Sequence, residues 1–500
     1  MKKPLRVTLL ALVSAAALSA NAERWDVRDY VTLPDPLEQV GGTCWAYASA
    51  HAVMANWAYL SHLADPDYDE YPSDSVISAE HIVAHHGYNK PGDEGGNVWM
   101  CLGYYGSGQG PKVVNEIGDT VNAKYYVGSV NSVPYMNDSE SLQILSVALV
   151  KMLLKQYGAV SMSLKSAEIR SPYYDKKNNS AYLPLAKADV ESAYHAGVIV
   201  GYDDDFNDFD NLAEKPSAPG AWIVENSYGP DSNDGGYYYL SYYSGTMRNP
   251  SVYMSRIERG AVDTIMMKDR LGFVSAINFS NNIVTLHSYF ANPQGSEIRA
   301  VGIYTTQVTT KVNVSLVKGS YPGDASEPLL SKDTVLAFAG YHVIGVCPTF
   351  FAAGDSIGLV VRYEQNESKN VSIPFERSNS SGTAIVENVG DQYIKNGDVW
   401  HNVGIVWPDA NLLTKLYCKN VQAVNAVDEA QASGNVGLRA WASGGSDITI
   451  EVCAPSEVAV YDMCGKLVEN VNVDWRKTVQ VPSGGVYIVT SNGESVKVQK

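Results

Sequence analysis

Cysteine is scarce: six residues in 500, at positions 44, 101, 347, 418, 453 and 464. Their wide spread excludes a small disulfide-stapled scaffold, although an even number permits pairing. Cys453 and Cys464 flank a short hairpin-like stretch and are a candidate pair, and Cys44 is expected to stay unpaired. Positive charge is also short, with 37 Lys and Arg against 54 Asp and Glu, a net charge of −17. That balance argues against nucleic acid and against anionic membrane surfaces as partners. Phenylalanine is rare, at 9 against 33 tyrosines and 42 glycines, which points to many solvent-facing strands and turns. Beyond the first residues, no apolar run reaches the ~20 residues of a membrane-spanning helix. There is no internal repeat and no low-complexity tract.

What is present begins with "MKKPLRVTLLALVSAAALSANA". Lys2, Lys3 and Arg6 precede an apolar stretch and an A-x-A site at Ala20-Asn21-Ala22. This pattern is that of a cleaved signal peptide over 1–22, and it predicts an exported protein, secreted or attached to the cell surface. The remaining chain is globular in composition, 45% hydrophobic and 18% charged. Its length allows two to four domains at ~100–200 residues each.

The first half is expected to be helical and then β-rich. "CWAYASAHAVMANWAYLSHLA" lacks Gly and Pro and predicts a long buried helix from Cys44. "SAEHIVAHHG" predicts a second helix, capped by Ser78 and ended by Gly87. A third is expected over 138–158, ended by Gly158. From residue 159 the pattern turns to short strands, among them "GVIVGY", "AWIVEN" and "GYYYLSYY". From about 271 to 405 strands and turns recur at the spacing of a β-sandwich. A freer stretch over 406–435 reads as a linker, and 436–500 as a last small β-domain.

Cys44 opens a helix directly after the Gly41-Gly42-Thr43 turn. A thiol attacks carbonyl carbon as thiolate, and a helix N-terminus or an imidazolium favours that form. A nucleophile also needs a base, an orienting group and an oxyanion donor. His195 opens the strand "HAGVIVGY", and Asn226 ends the strand "AWIVEN", which is expected to pair antiparallel with it. The Asn226 amide can hold one ring nitrogen and leave the other facing the thiol. Gln39 and the backbone N–H of Cys44 can serve an oxyanion. Taken alone, each residue has a plainer reading: a buried inert thiol, a core histidine, a strand-end turn residue, a solvated loop glutamine.

These stretches resemble the papain-like cysteine peptidases over about residues 23–260. The carriers are Gln39…Cys44-Trp45-Ala46-Tyr47, His195-Ala196…Val200-Gly201-Tyr202, and Trp222-Ile223-Val224-Glu225-Asn226-Ser227…Gly236-Tyr237. His195 follows Cys44 by about 150 residues, close to the roughly 130–150 of that class. The resemblance implies an α+β fold with a helical lobe and a β-sheet lobe over 23–265. It implies Cys44, His195, Asn226 and Gln39 as catalytic residues. It also implies Gly95 and Gly96 as a pair that hydrogen-bonds substrate backbone, and no metal or other cofactor. "WDVRDY" (25–30) resembles the family's mature N-terminal strand. Three positions depart from the pattern. Gly41 stands where the family has a cysteine, which leaves Cys101 without its usual partner. Tyr228 stands where the family has tryptophan, and the Gln39–Cys44 interval is one residue short.

Residues 271–405 resemble the lectin-like β-sandwich of some bacterial members, and 436–500 resembles the C-terminal sorting domain of the type IX export system of Bacteroidetes. The expected architecture is therefore α+β followed by two all-β sandwiches. The expected function is a secreted cysteine endopeptidase acting through a thioester. Protein or peptide substrates and the type IX export machinery are the implied partners, with cell-surface glycan a candidate for the C-terminal half. Alternatives are a transpeptidase sharing the same acyl-enzyme and a catalytically silent adhesin. His81, His85 and His86 carry no H-E-x-x-H pattern, so a solvated helix face is the reading there. Asp203, Asp205, Asn207 and Glu214 fall at EF-hand-like positions, but Asp208 replaces the glycine such a loop needs, so a solvated acidic hairpin is expected.

Overall fold

The computed structural model describes residues 22–115, 118–135, 140–319, 321–322, 327–365, 370–420, 437–442, 447–453, 456–462, 464–473, 476–482, 485–492 and 494–499. The expected leader thus lies outside the described residues except for Ala22, as does 421–435 of the expected linker. Among the described residues no helix is long and apolar enough to cross a membrane.

The molecule is mostly β-sheet with few helices. The helix Cys44–Ala64 is its central rod, and every residue from Trp45 to Tyr59 is buried. A helix apolar all round can only be interior, and its alanines let neighbouring elements approach closely. Helices Ala79–His85 and Val98–Gly106 pack beside it. Ser78 caps the former by accepting from the His81 N–H, and Gly87 ends it at φ +82°. Helix Glu140–Tyr157 ends at Gly158, φ +87°, a left-handed conformation that glycine adopts without steric penalty. A methyl group on Gly158 would also lie 2.6 Å from Cβ of Tyr59.

One thirteen-stranded sheet runs through the described residues. Its middle holds Val160–Lys165, Tyr194–Asp203, Ala221–Glu225 and Tyr237–Ser241, neighbours in that order. The strand Arg24–Asp26 adds to Tyr194–Asp203 in antiparallel register, Trp25 opposite Tyr202. Further along, Arg248–Tyr253 pairs with Val130–Ser132, which pairs with Ala339–Phe351. The sheet therefore passes without a break from the N-terminal half into the C-terminal half. Gly340 permits this crossing, since a methyl group there would lie 2.3 Å from the Val130 carbonyl oxygen.

In the C-terminal half, a six-stranded sheet containing Ile283–Ala291, Thr310–Lys318 and Ser356–Glu364 faces the strands Ser296–Thr305, Ala339–Phe351 and Thr414–Asn420. Val284, Leu286, Val314 and Leu359 from one side meet Val301, Ile303 and Leu416 from the other in a single core. Each such side chain contributes about 1.5–3 kcal/mol by leaving water. The strands Ala410–Leu412 and Thr414–Asn420 correct the linker expected from 406 onward. Thr414 to Cys418 are all buried, and burial on both faces removes the alternation by which a strand is read. Lys415 and Asp269 form an ion pair there, both fully buried.

Residues 437–499 form a three-stranded and a four-stranded sheet over one core of Leu438, Ile448, Ile450, Val458, Val489 and others. Cys453, just past the strand Asp447–Val452, is disulfide-bonded to Cys347 on Ala339–Phe351, with Cα atoms 4.8 Å apart. This corrects the Cys453–Cys464 pairing. Cys464 is free and exposed, in a turn whose amides bond Asp462. The real partner lies 106 residues away, so local spacing could not reveal it.

Glu168, in the turn Ser166–Ile169, is wholly buried, and burial pushes its carboxyl up to about 8 against bonds from Thr246 and Leu183. The group is thus neutral in the fold and ionised in the unfolded chain across the neutral range. Its contribution is full below about pH 4.5 and is lost as pH rises through about 8. Between about pH 5 and pH 8 the native protein is expected to lose a few kcal/mol more stability than Glu168→Gln. Urea midpoints across that range check this, and parallel profiles would refute it.

Candidate active site

The turn before Cys44 is built by close backbone approach. Gly41 has φ +67°. The Gly42 N–H donates to the Asp93 carbonyl at 2.9 Å, and a methyl group on Gly42 would stand 2.5 Å from that oxygen. Only glycine lets the 41–42 turn lie on the loop 93–95. Thr43 fixes the turn by donating its hydroxyl to the Val40 carbonyl at 2.8 Å. Trp45 then donates its indole N–H to Gly92, and its ring lies where a side chain on Gly96 would be, 2.4 Å away. Gly95 has φ +89°, and nothing stands within 4 Å of the place its side chain would take. The loop presenting Gly95 and Gly96 is thus locked to the first turn of the cysteine helix.

Cys44 is a free, partly exposed thiol. Burial pushes its pKa up, against backbone groups of Ala196, Trp45 and Cys44 that favour the anion. Ala196 follows His195, so the sulfur lies against the start of the histidine strand. His195 is 4% exposed. Its Nε2 lies 2.8 Å from Oδ1 of Asn226, and that oxygen also accepts the Ser227 N–H at 2.9 Å. Burial lowers the His195 pKa, the bond to Asn226 raises it, and Arg170 adds a smaller lowering. The strands carrying His195 and Asn226 pair antiparallel, as expected, with a register shift at Ile223/Val224. Tyr228 stands over the imidazole as an aromatic cover, ring centroids 5.2 Å apart.

Cys44 and His195 line one cavity of about 380 Å³, together with Trp99, Met162, Tyr253 and Arg248. Gln39 is not among its lining residues. The Gln39 side-chain amide donates to the Gly41 carbonyl at 2.7 Å, and its Oε1 accepts from the Ser227 hydroxyl. One of its two amide hydrogens is thereby engaged. Gly96 lines the cavity, whereas Gly95 borders a neighbouring one. Cys101 is wholly buried, its thiol against the Trp45 carbonyl and pushed up to about 12 by burial.

Two residues were missed by the sequence reading. His51, two turns along the cysteine helix, contacts Glu225 through Nδ1, and both are buried. Its Nε2 accepts the Leu37 N–H at 3.3 Å. The available signal was one ionisable residue inside each of the runs "ASAHAV" and "WIVEN".

The model of the lectin-like domain family matches residues 265–418. No curated protein matches the sequence. Among solved structures, the chain is similar to the clostridial cysteine protease Cwp84 after propeptide cleavage. The TM-score is 0.65 and the identity 19%, over 80% of this chain and 99% of that one. It is also similar to the cysteine protease and lectin-like domains of Cwp84, described as a surface-layer-associated protein of Clostridium difficile. There the TM-score is 0.63 and the identity 18%, over 83% and 96%. At such identity the likeness is one of fold: a cysteine-protease fold followed by a lectin-like domain.

Among the described residues no three His, Cys, Asp or Glu side chains cluster as for a metal. His81 and His85 stack, ring centroids 3.8 Å apart, and His81 bonds the Tyr104 hydroxyl. His86 is buried beside Trp45, which corrects the fully solvated face expected there. The His86 ring meets that of Trp45 edge-on, centroids 5.7 Å apart. In the acidic hairpin, Glu214 pairs with Lys187, and the Asp203 carboxylate accepts the Asp205 N–H.

Proposed function

We propose that this chain is an exported papain-like cysteine endopeptidase. The observation carrying the reading is the bond from His195 to Asn226 beside a free thiol at a helix start, with both reacting groups on one cavity. In the reaction, Cys44 Sγ attacks the peptide carbonyl carbon and its proton passes to His195 Nδ1. The Cys44 N–H and the second Gln39 amide hydrogen hold the tetrahedral oxyanion. His195 protonates the leaving nitrogen as the C–N bond breaks and a thioester forms. Water, deprotonated by His195, then hydrolyses the thioester and returns the thiol. Asn226 holds the ring throughout. The substrate backbone lies along Gly95 and Gly96 as an added strand.

The signal peptide and the type IX sorting domain would take the protein to the cell exterior. The lectin-like domain would lie beside the site, with surface glycan as its candidate ligand. A peptide vinyl sulfone tests the reading. It is expected to label Cys44 in the native protein, and dye-linked peptides are expected to be cleaved by the native protein and not by Cys44→Ala. Cys464, the exposed free thiol, is the internal comparison. Labelling at Cys464 alone, or equal cleavage by Cys44→Ala, would overturn the assignment. Release of amide rather than acid when an amine is added would convert it to transpeptidation.

A further inference from the structure

The cavity at Cys44 does not end at Trp99 and Tyr194. A second cavity of about 560 Å³ adjoins it, and Gly96, Asn97, Trp99 and Tyr194 line both. Its far wall comes from the C-terminal half, through Phe273, Val274, Asn379 and Thr383. We propose that the loop 379–383 of the lectin-like domain is a wall of the substrate groove. It would receive the third and fourth residues on the acyl side of the scissile bond. The substrate is then an extended polypeptide segment, not a di- or tripeptide. The proposal rests on the peptidase reading above.

Three observations support a built groove over a chance gap. First, the loop is fixed to the N-terminal half. The Asn89 N–H donates to the Thr383 carbonyl at 2.8 Å, and the Asn89 side-chain amide to the Gly382 carbonyl at 3.1 Å. Asn379 holds the loop from within, donating to the Thr383 hydroxyl at 2.8 Å and accepting the Ala384 N–H at 3.0 Å. Beneath it Leu271, Ala384 and Val386 form a small core with Tyr88 and Val274. Second, the floor is rigid, because Trp99 packs on Phe273 with ring centroids 4.6 Å apart. Third, Gly95, with nothing within 4 Å of where its side chain would stand, borders the second cavity, and Gly96 lines both. A strand laid along them advances ~3.3 Å per residue. The residue next to the scissile bond and its neighbour occupy the first cavity, and the following two pass Trp99 and Tyr194 into the second. Aromatic rings there can pack the side chains, and the second amide hydrogen of Asn379 can bond the backbone.

The full chain is assayed on dye-linked peptides with two, three, four and five acyl-side residues, the two nearest the dye held constant. The native kcat/KM is expected to rise by about tenfold or more from two to four residues and then level off, as remote contacts are used in the transition state. In Thr383→Trp the four-to-two ratio is expected to fall several-fold, and Thr383→Ser is expected to keep it. Cleavage of no peptide in the series would remove the peptidase reading itself. Equal rates at every length, or a native ratio in Thr383→Trp, would overturn the groove while leaving the peptidase intact. The native series decides alone if Thr383→Trp does not fold.

Discussion

Replacing His195 by alanine is expected to lower kcat/KM on a dye-linked peptide by at least about a thousandfold, with the far-UV circular dichroism unchanged. The reason lies in which nitrogen is free. Asn226 Oδ1 takes the Ser227 N–H and faces His195 Nε2. An atom accepting a backbone N–H is the carbonyl oxygen, so Nε2 must carry the hydrogen it donates. Nδ1 then holds the lone pair, and it is the only ring atom left to take a proton. Burial raises the Cys44 pKa and lowers that of His195. Each charge alone is therefore opposed, but moving one proton from Sγ to Nδ1 creates two charges that attract one another in a poorly screened site. Alanine removes the acceptor and leaves a neutral thiol. Retention of more than about a tenth of native activity would show that the base is elsewhere.

Much of this site was legible because its parts are locally encoded. Cys44 follows a glycine turn and opens an uninterrupted apolar run, while His195 and Asn226 sit at the ends of short strands of strong β character. Chain ends of elements are where side chains can face a cleft, so the three residues could be singled out from sequence alone; the structure adds the His195–Asn226 bond and the cavity that Cys44 and His195 share. What was not legible depends on pairs distant in sequence. Gly42 reads as a turn residue, yet it is fixed by the approach of Asp93. Gln39 reads as an oxyanion donor, yet its amide is partly engaged by Gly41, and its partner Ser227 follows the orienting asparagine. The strand Thr414–Asn420 was hidden by burial on both faces, and the Cys347–Cys453 bridge by a long separation. The continuation of the first sheet into the C-terminal half rests on Ala339 meeting Ser132 and Tyr341 meeting Val130. No local pattern carries that.

The second large effect concerns stability at the same site. Glu225→Leu is expected to cost about 3–5 kcal/mol, read as a lowered urea midpoint, whereas His51→Leu with Glu225→Leu together should recover most of the loss. Both side chains are nearly inaccessible, at 6% and 3%. Because His51 Nε2 accepts the Leu37 N–H, its ring hydrogen sits on Nδ1 and points at the carboxylate. Removing Glu225 alone strands a buried N–H, and removing His51 alone strands a buried carboxylate. Removing both leaves apolar groups of similar size between the helix and the strand, with the part-buried Leu37 N–H as the donor that stays unpaired. Glu225 also immediately precedes Asn226, so the single change should loosen the orienting amide and lower kcat more than it alters KM. A cycle in which the two costs simply add would show that the residues do not act as a pair. It would also leave the end of the asparagine strand held by the sheet alone.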